Sequence, residues 1–243
     1  MGAVAFAQPD VIKNAISYDP VTQNFTVNLH DSPQRLNTKG DTADLKAVSV
    51  NITQDDVRTD IADGGVSRDT KKQNKEPLWP AILEAAYAKM QYGTVAAGLK
   101  VQTSSDGKKV HDVDGGTTLS GMAIVTGYPG TKVSPSSLTF DQLNSALAAH
   151  QPVTMSTAQS FGGNKDSEDG LARSHVYSVT AATNVGGTFL VTLRNPWGEN
   201  KNVADLPPGT DPSTGYLGID IHKLAAAHLV DSFDIGPKPE AHQ

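Results

Sequence analysis

Ser174-His175-Val176-Tyr177-Ser178-Val179-Thr180 and, at hairpin distance, Leu193-Arg194-Asn195-Pro196-Trp197-Gly198 are the stretches on which the fold turns. Residues 175–181 and 189–195 are rich in β-formers, and Thr183-Asn184-Val185-Gly186-Gly187 between them supplies turn residues, which predicts an antiparallel hairpin. A pairing symmetric about Val185 sets His175 opposite Asn195. Directly opposed residues point to one face with Cβ atoms ~4.5–5.5 Å apart, so the Asn side-chain oxygen can accept from an imidazole N–H. That contact would fix the tautomer and the direction of the His175 ring. Pro196 has no N–H for the ladder and ends the pairing. Trp197 is then placed to cover the polar pair and keep water off it. The face depends on register, since a slip of one residue sends Asn195 to the other side of the sheet.

Working outward, Phe25-Thr26-Val27-Asn28-Leu29 and Ala47-Val48-Ser49-Val50-Asn51-Ile52 alternate cleanly and read as two strands with one wet face. Met1 to Ala7 is small and apolar, as in the tail of a buried helix, and Pro9-Asp10 can restart a short helix through Ile16. Residues 63–75 are charged and poor in apolar side chains, as in a surface loop. The following helix takes Pro77 and Pro80 at its start, where a missing N–H is no loss. Its Leu78, Trp79, Ile82, Leu83, Ala86, Tyr87 and Met90 repeat with helical period and read as core packing. Residues 104–116 read as a polar loop. Thr139 as N-cap with Gln142 at N3 forms a capping box, and Leu138 with Leu143 a hydrophobic staple. Pro152 to Ala158 reads as a strand, 162–170 as a loop beside His175, and His222 to Phe233 as a closing helix.

Composition narrows the classes. The 243 residues can bury a full core in one large domain or two small lobes. A hydrophobic fraction of 37% with 19% charged residues describes a soluble globular chain. A net charge of −6 with no Lys/Arg cluster argues against nucleic acid or an anionic membrane as partner. No apolar run is long enough for a membrane span, and Met1 to Ala7 lacks the features of a secretory signal. Compartment and oligomeric state stay open. The chain has no cysteine, which removes disulfides and thiolate metal sites.

The two strings resemble the His and Asn motifs of the calpain-like cysteine peptidases, approximately G-H-A-Y-S-V and L-R-N-P-W-G. Leu78-Trp79-Pro80-Ala81-Ile82-Leu83-Glu84-Ala85-Ala86-Tyr87-Ala88-Lys89-Met90 is similar to the family's L-W-x-x-L-L-E-K-A-Y-A-K-L helix, and Gly121 to Gly127 to the segment closing its first lobe. Met1-Gly2-Ala3-Val4-Ala5-Phe6-Ala7 resembles the continuation of the nucleophile helix C-W-L-x-A-A, which sets the nucleophile three residues before Met1. The resemblance implies an α+β, papain-like, calpain-type two-lobe protease core, N-terminally truncated. Residues 1–128 would be the remainder of the first lobe, 129–237 a second, β-rich lobe carrying His175 and Asn195, and 238–243 a tail. It further implies peptide-bond hydrolysis by a Cys-His-Asn triad, with His175 as acid/base, Asn195 as its orienter and Trp197 in support.

The departures are specific. Ser174 stands for the Gly before the His and Val176 for the Ala after it. The second Trp that follows N-P-W-G-E in animal calpains is missing from Glu199 to Leu206. Gly215-Tyr216-Leu217-Gly218-Ile219 is closer to the ending of bacterial members. Neither the nucleophile Cys nor the upstream Gln of the oxyanion hole is present, so the chain is expected to be inactive as given. The alternative is a pseudoprotease or protein-binding module that keeps a vestigial cleft for a protein or peptide segment. Scaffold alone is a third reading of the hairpin. Serine does not replace the thiol: Ser174 lies on the opposite strand face from His175, Ser178 a diagonal step away, and no G-x-S-x-G elbow occurs. His222 and His228 are six apart and no H-E-x-x-H occurs, so no metal site is expected. Asn164, Asp166, Glu168 and Asp169 do not make an EF-hand, because Gly falls at the seventh loop position. Animal calpains bind calcium at the protease core, but those ligands have no match residue by residue here, and no cofactor is expected.

Overall fold

Capping and alternation place the first elements. The computed structural model describes residues 1–31, 45–62, 78–98, 101–103, 109–111, 117–128, 130–161, 165, 167–226 and 228–239. They form a mixed α+β structure that divides into two units, one of residues 10–127 and one of Met1–Pro9 with Tyr128–Gln243. Helix α1 (Gly2–Ala7) opens the chain and α2 (Pro9–Ala15) follows. Strands β1 (Ile16–Asp19), β2 (Asn24–Asp31) and β3 (Lys46–Ile52) make an antiparallel sheet in that order. Val27, Leu29, Val50 and Ile52 are buried on its inner face, whereas Thr26, Asn28, Ser49 and Asn51 face outward.

The short helix α3 (Gln54–Ala62) begins at a capping box that sequence reading passed over: Asp56 N donates to Thr53 Oγ1 (3.1 Å) and Thr53 N to Asp56 Oδ2 (2.9 Å). Helix α4 (Trp79–Tyr92) starts with Pro80 in its first turn and stops at Gly93. Its buried side is Ala81, Ile82, Leu83, Ala85, Ala86 and Ala88, while Leu78, expected in the core, is exposed. The small alanines admit α5 (Val95–Gly98) so closely that a Cβ on Gly98 would lie 2.6 Å from that of Ala88. Strand β4 (Val101–Thr103) pairs with β5 (Lys109–His111), which lies within the 104–116 stretch expected to be loop, and α6 (Thr118–Thr126) completes this unit. The expected 63–75 loop and Pro77 lie outside the described residues, as do 104–108, 112–116, 162–164 and Asp166.

The C-terminal unit is built on a six-stranded antiparallel sheet. Its elements are β6 (Thr131–Val133), α7 (Phe140–Ala148), β7 (Val153–Thr157), the small pair β8 (Ser167–Glu168) and β9 (Leu171–Ala172), β10 (Val176–Val185), β11 (Thr188–Arg194), β12 (Tyr216–Asp220), α8 (Ile221–Ala226) and β13 (Val230–Ile235). The sheet order is β12-β11-β10-β7-β13-β6. Helix α7 is capped as its sequence requires, Gln142 N donating to Thr139 Oγ1 (3.1 Å), and its Leu143 and Ala146 join the core with Tyr177, Val179, Leu193 and Phe233. Helix α1 packs on the same unit, against β10 and β7, and Gln8 anchors it by donating to His150 O (3.0 Å) and Pro237 O (2.9 Å).

The closing helix expected over 222–233 is a correction. Among the described residues of that stretch, helix is confined to 221–226. His228 adopts φ 56°, which turns the chain out of the helix, and β13 then inserts between β7 and β6, buried at every position but Asp231. A strand covered on both faces has no period to read, so its apolar residues mimic a helix in sequence. Among the described residues no helix is long and apolar enough to cross a membrane.

Asp234 of β13 stands opposite Lys132 and Thr154 and is only 4% exposed. Burial pushes its carboxyl up to about 6, against the pull of Lys132. The folded chain therefore takes up this proton before the unfolded chain does, and its stability falls as pH rises from about 4 to about 6. Asp234→Asn should raise stability at pH 7 by about 1–2 kcal/mol after allowance for screening, with the gain vanishing near pH 4. Urea denaturation across that range measures it.

Candidate functional site

The hairpin is tighter than its sequence suggests. Gly186 and Gly187, with φ 59° and 87°, make the whole two-residue turn, because both central positions need the left-handed region that glycine enters freely. Val185 therefore pairs with Thr188, and the register runs to Ala181 opposite Thr192. There β10 carries one extra residue: the next pairs are Val179 with Leu193 and Ser178 with Arg194, leaving Thr180 as a bulge. The symmetric register about Val185 is thus corrected. Continued past Arg194, the observed register sets Asn195 across from Tyr177, with His175 on the diagonal and on the same face.

His175 Nε2 lies 3.0 Å from Asn195 Oδ1. The His175 backbone is clamped by Thr157: its N–H donates to Thr157 Oγ1 (2.8 Å), and its carbonyl accepts from Thr157 N (2.9 Å) and Oγ1 (3.1 Å). The ring meets Tyr177 edge-on at 5.0 Å and lies under Trp197 at 4.2 Å, tilted by 40°. Tyr177 is itself fully buried and held by Ala172 N, which donates to its hydroxyl (2.9 Å). Trp197 covers one side of the imidazole while 56% of its own surface stays open. Burial holds the His175 pKa below the ordinary histidine range, with the Asn195 bond pulling the other way.

Asn195 is fully buried and every polar atom of its amide is engaged. Oδ1 accepts from Trp197 N (3.0 Å) besides facing His175, Nδ2 donates to Asn200 Oδ1 (3.1 Å), and its backbone N–H donates to Gly215 O (2.7 Å). The turn behind Pro196 sits directly on Gly215, where a Cβ would come 2.9 Å from Asn195 O and 3.1 Å from the Gly198 carbonyl carbon. Only glycine leaves that room.

Sequence reading brought His175, Asn195 and Trp197 together and missed the rest of the shell. Thr157 and Asn200 carry no pattern of their own, and Tyr177 sat inside the quoted string without a role. The lone signal for Asn200 is a polar residue two positions after Gly198 in a stretch too rich in turns to be a strand. Ser178, one of the two serines near the histidine, is buried, with Gly2 of α1 beside it: a Cβ on Gly2 would lie 3.3 Å from Ser178 Oγ. His222 packs edge-on against Phe189 at 5.9 Å, and among the described residues no three His, Asp or Glu side chains are grouped to hold a metal ion.

Comparison with known proteins adds the class. The family profile described as calpain family cysteine protease matches residues 47–205, a span that includes His175, Asn195 and Trp197. An α+β domain with that match is of cysteine-protease type, and the chain belongs to the calpain family of cysteine proteases. No curated protein sequence matches it significantly.

The residue before His175 is strained. Ser174 has φ 48°, a left-handed conformation that costs a side chain of order 1 kcal/mol or more. Glycine, the residue of the resembling motif, fits there without cost. Ser174→Gly is expected to raise stability by about 1 kcal/mol, measured by chemical denaturation, with the His175–Asn195 contact unchanged.

Proposed function

We propose that this chain carries the His–Asn half of a cysteine endopeptidase site on a papain-like, two-lobe core of calpain type. In this reading residues 10–127 stand for the first lobe and 128–237, joined by Met1–Pro9 rather than leaving it to the first, for the second, and the substrate is a protein or peptide segment. The observation that supports it is the 3.0 Å contact between His175 Nε2 and Asn195 Oδ1, roofed by Trp197 and lying inside the matched span.

The chemistry follows from the ring. With Nε2–H given to Asn195, the neutral imidazole presents the Nδ1 lone pair as base. A thiol placed before it gives up its proton to Nδ1, and the thiolate attacks the scissile carbonyl. The imidazolium then passes that proton to the amine leaving group, and the reverse cycle with water releases the acid. Asn195 keeps the ring aimed through both transfers and Trp197 keeps water from the bond it uses.

No residue of this chain can be that thiol, since it holds no cysteine. Resemblance sets the nucleophile three positions before Met1, in helical continuation of α1, and α1 packs against β10, the strand that begins just after His175. The chain as it stands is therefore inactive in this reading. The rival, a protein-binding pseudoprotease, draws on the strained Ser174 beside the histidine.

The chain should release no product from a protein substrate such as casein. Extended at its N-terminus by a helical segment with Cys three positions before Met1, it should cleave, stop cleaving on thiol alkylation, and lose about 10²-fold or more on His175→Ala. An extended chain that folds, shows a reactive thiol beside His175 and cleaves nothing across a broad peptide library would make the binding module the better reading.

A further inference from the structure

We propose that Asn200 is a positioning residue that sets the tautomer of His175 through the amide of Asn195. The proposal deepens the cysteine-peptidase reading and rests on it for its meaning, although the bonding it describes belongs to the chain as it stands.

Asn200 closes the far end of a hydrogen-bond chain that reaches His175 through Asn195. Asn200 is fully buried, and one end of its amide faces two backbone carbonyls, Thr214 O at 2.9 Å and Tyr216 O at 3.3 Å. Carbonyls only accept, so that end must be the NH2 group. The other end is then Oδ1, which only accepts, and it faces the Asn195 amide at 3.1 Å. Asn195 must present its NH2 there, which aims its Oδ1 at His175. Nε2 of His175 must in turn carry a proton, and Nδ1 is left with its lone pair. The direction of each bond is dictated by the one before it, because a reversed amide would set oxygen against oxygen or N–H against N–H in a buried site.

Asn200 is anchored well enough to impose this order. Its backbone N–H donates to Pro212 O (2.9 Å) and its carbonyl accepts from Val203 N (3.1 Å). Trp197 N favours the same orientation of Asn195, but it reaches only the oxygen end. Asn200 alone receives the Asn195 NH2 among the bonds of this shell. Without it the Asn195 amide keeps a buried donor with no acceptor, and the Trp197 N–H is left to hold its orientation from the oxygen end.

The test is nitrogen NMR of the His175 ring in the uniformly labelled chain, assigned by its loss in His175→Ala. A neutral ring locked with the proton on Nε2 shows two widely split nitrogen signals, and exchange between tautomers draws them together. The parent should show the wide split with Nε2 as the protonated atom, and Asn200→Ala should collapse it. A split in Asn200→Ala equal to the parent's would overturn the role of Asn200. Asn195→Ala separates the two readings: if it leaves the ring signals unchanged, the His–Asn pair itself fails. Should Asn200→Ala not fold, hydrogen exchange in the parent decides, since slow exchange of the side-chain amide protons of both Asn195 and Asn200 is required and fast exchange of either contradicts the relay.

Discussion

One extra residue in β10 governs the site. With the two-residue turn fixed by Gly186 and Gly187, an unbroken ladder would set Ser178 across from Asn195, and His175 would share the opposite face. The bulge at Thr180 shifts the register by one and returns His175 to the face of Tyr177 and Asn195. It also leaves Tyr177 and Val179 aimed into the core beside Leu193. Packing and polar contact thus depend on the same irregularity. Burial of Tyr177 and Val179 resists any slip that would undo it.

Around that register the structure leaves the histidine little freedom. Thr157 holds its backbone from β7, Tyr177 limits the ring from one side and Trp197 from the other, and the Asn195–Asn200 pair takes Nε2. The ring is thereby singly oriented, and burial lowers its pKa against the pull of the Asn195 bond. A neutral imidazole with one free lone pair is the state a thiol would meet first. A thiolate formed beside it would hold the proton on the ring by charge, the reverse of what burial does alone.

Much of this was legible in sequence, for identifiable reasons. β2 and β3 alternate because one face is wet, and α7 announces itself by Thr139 and Gln142. The contact between His175 and Asn195 was anticipated on a register that the structure does not have. A bulge leaves no mark in composition, since Thr180 fits a strand as well as its neighbours do. β13 was read as helix because burial on both faces erases the period of two, and β12 went unread because Gly218 interrupts its apolar pattern. Asn200 was invisible for a further reason: its importance comes from the carbonyls of Thr214 and Tyr216, and nothing in sequence tells which loop atoms will face a side chain.

The central question for this site is whether its histidine is built to ionise a thiol. Titrating the thiolate absorbance of the chain extended with Cys three positions before Met1, alone and with His175→Gln, asks that directly. The account predicts a thiol that ionises well below the usual cysteine value of about 8.5 in the parent and returns toward it in the variant. A thiol that titrates at the ordinary value in both would contradict it.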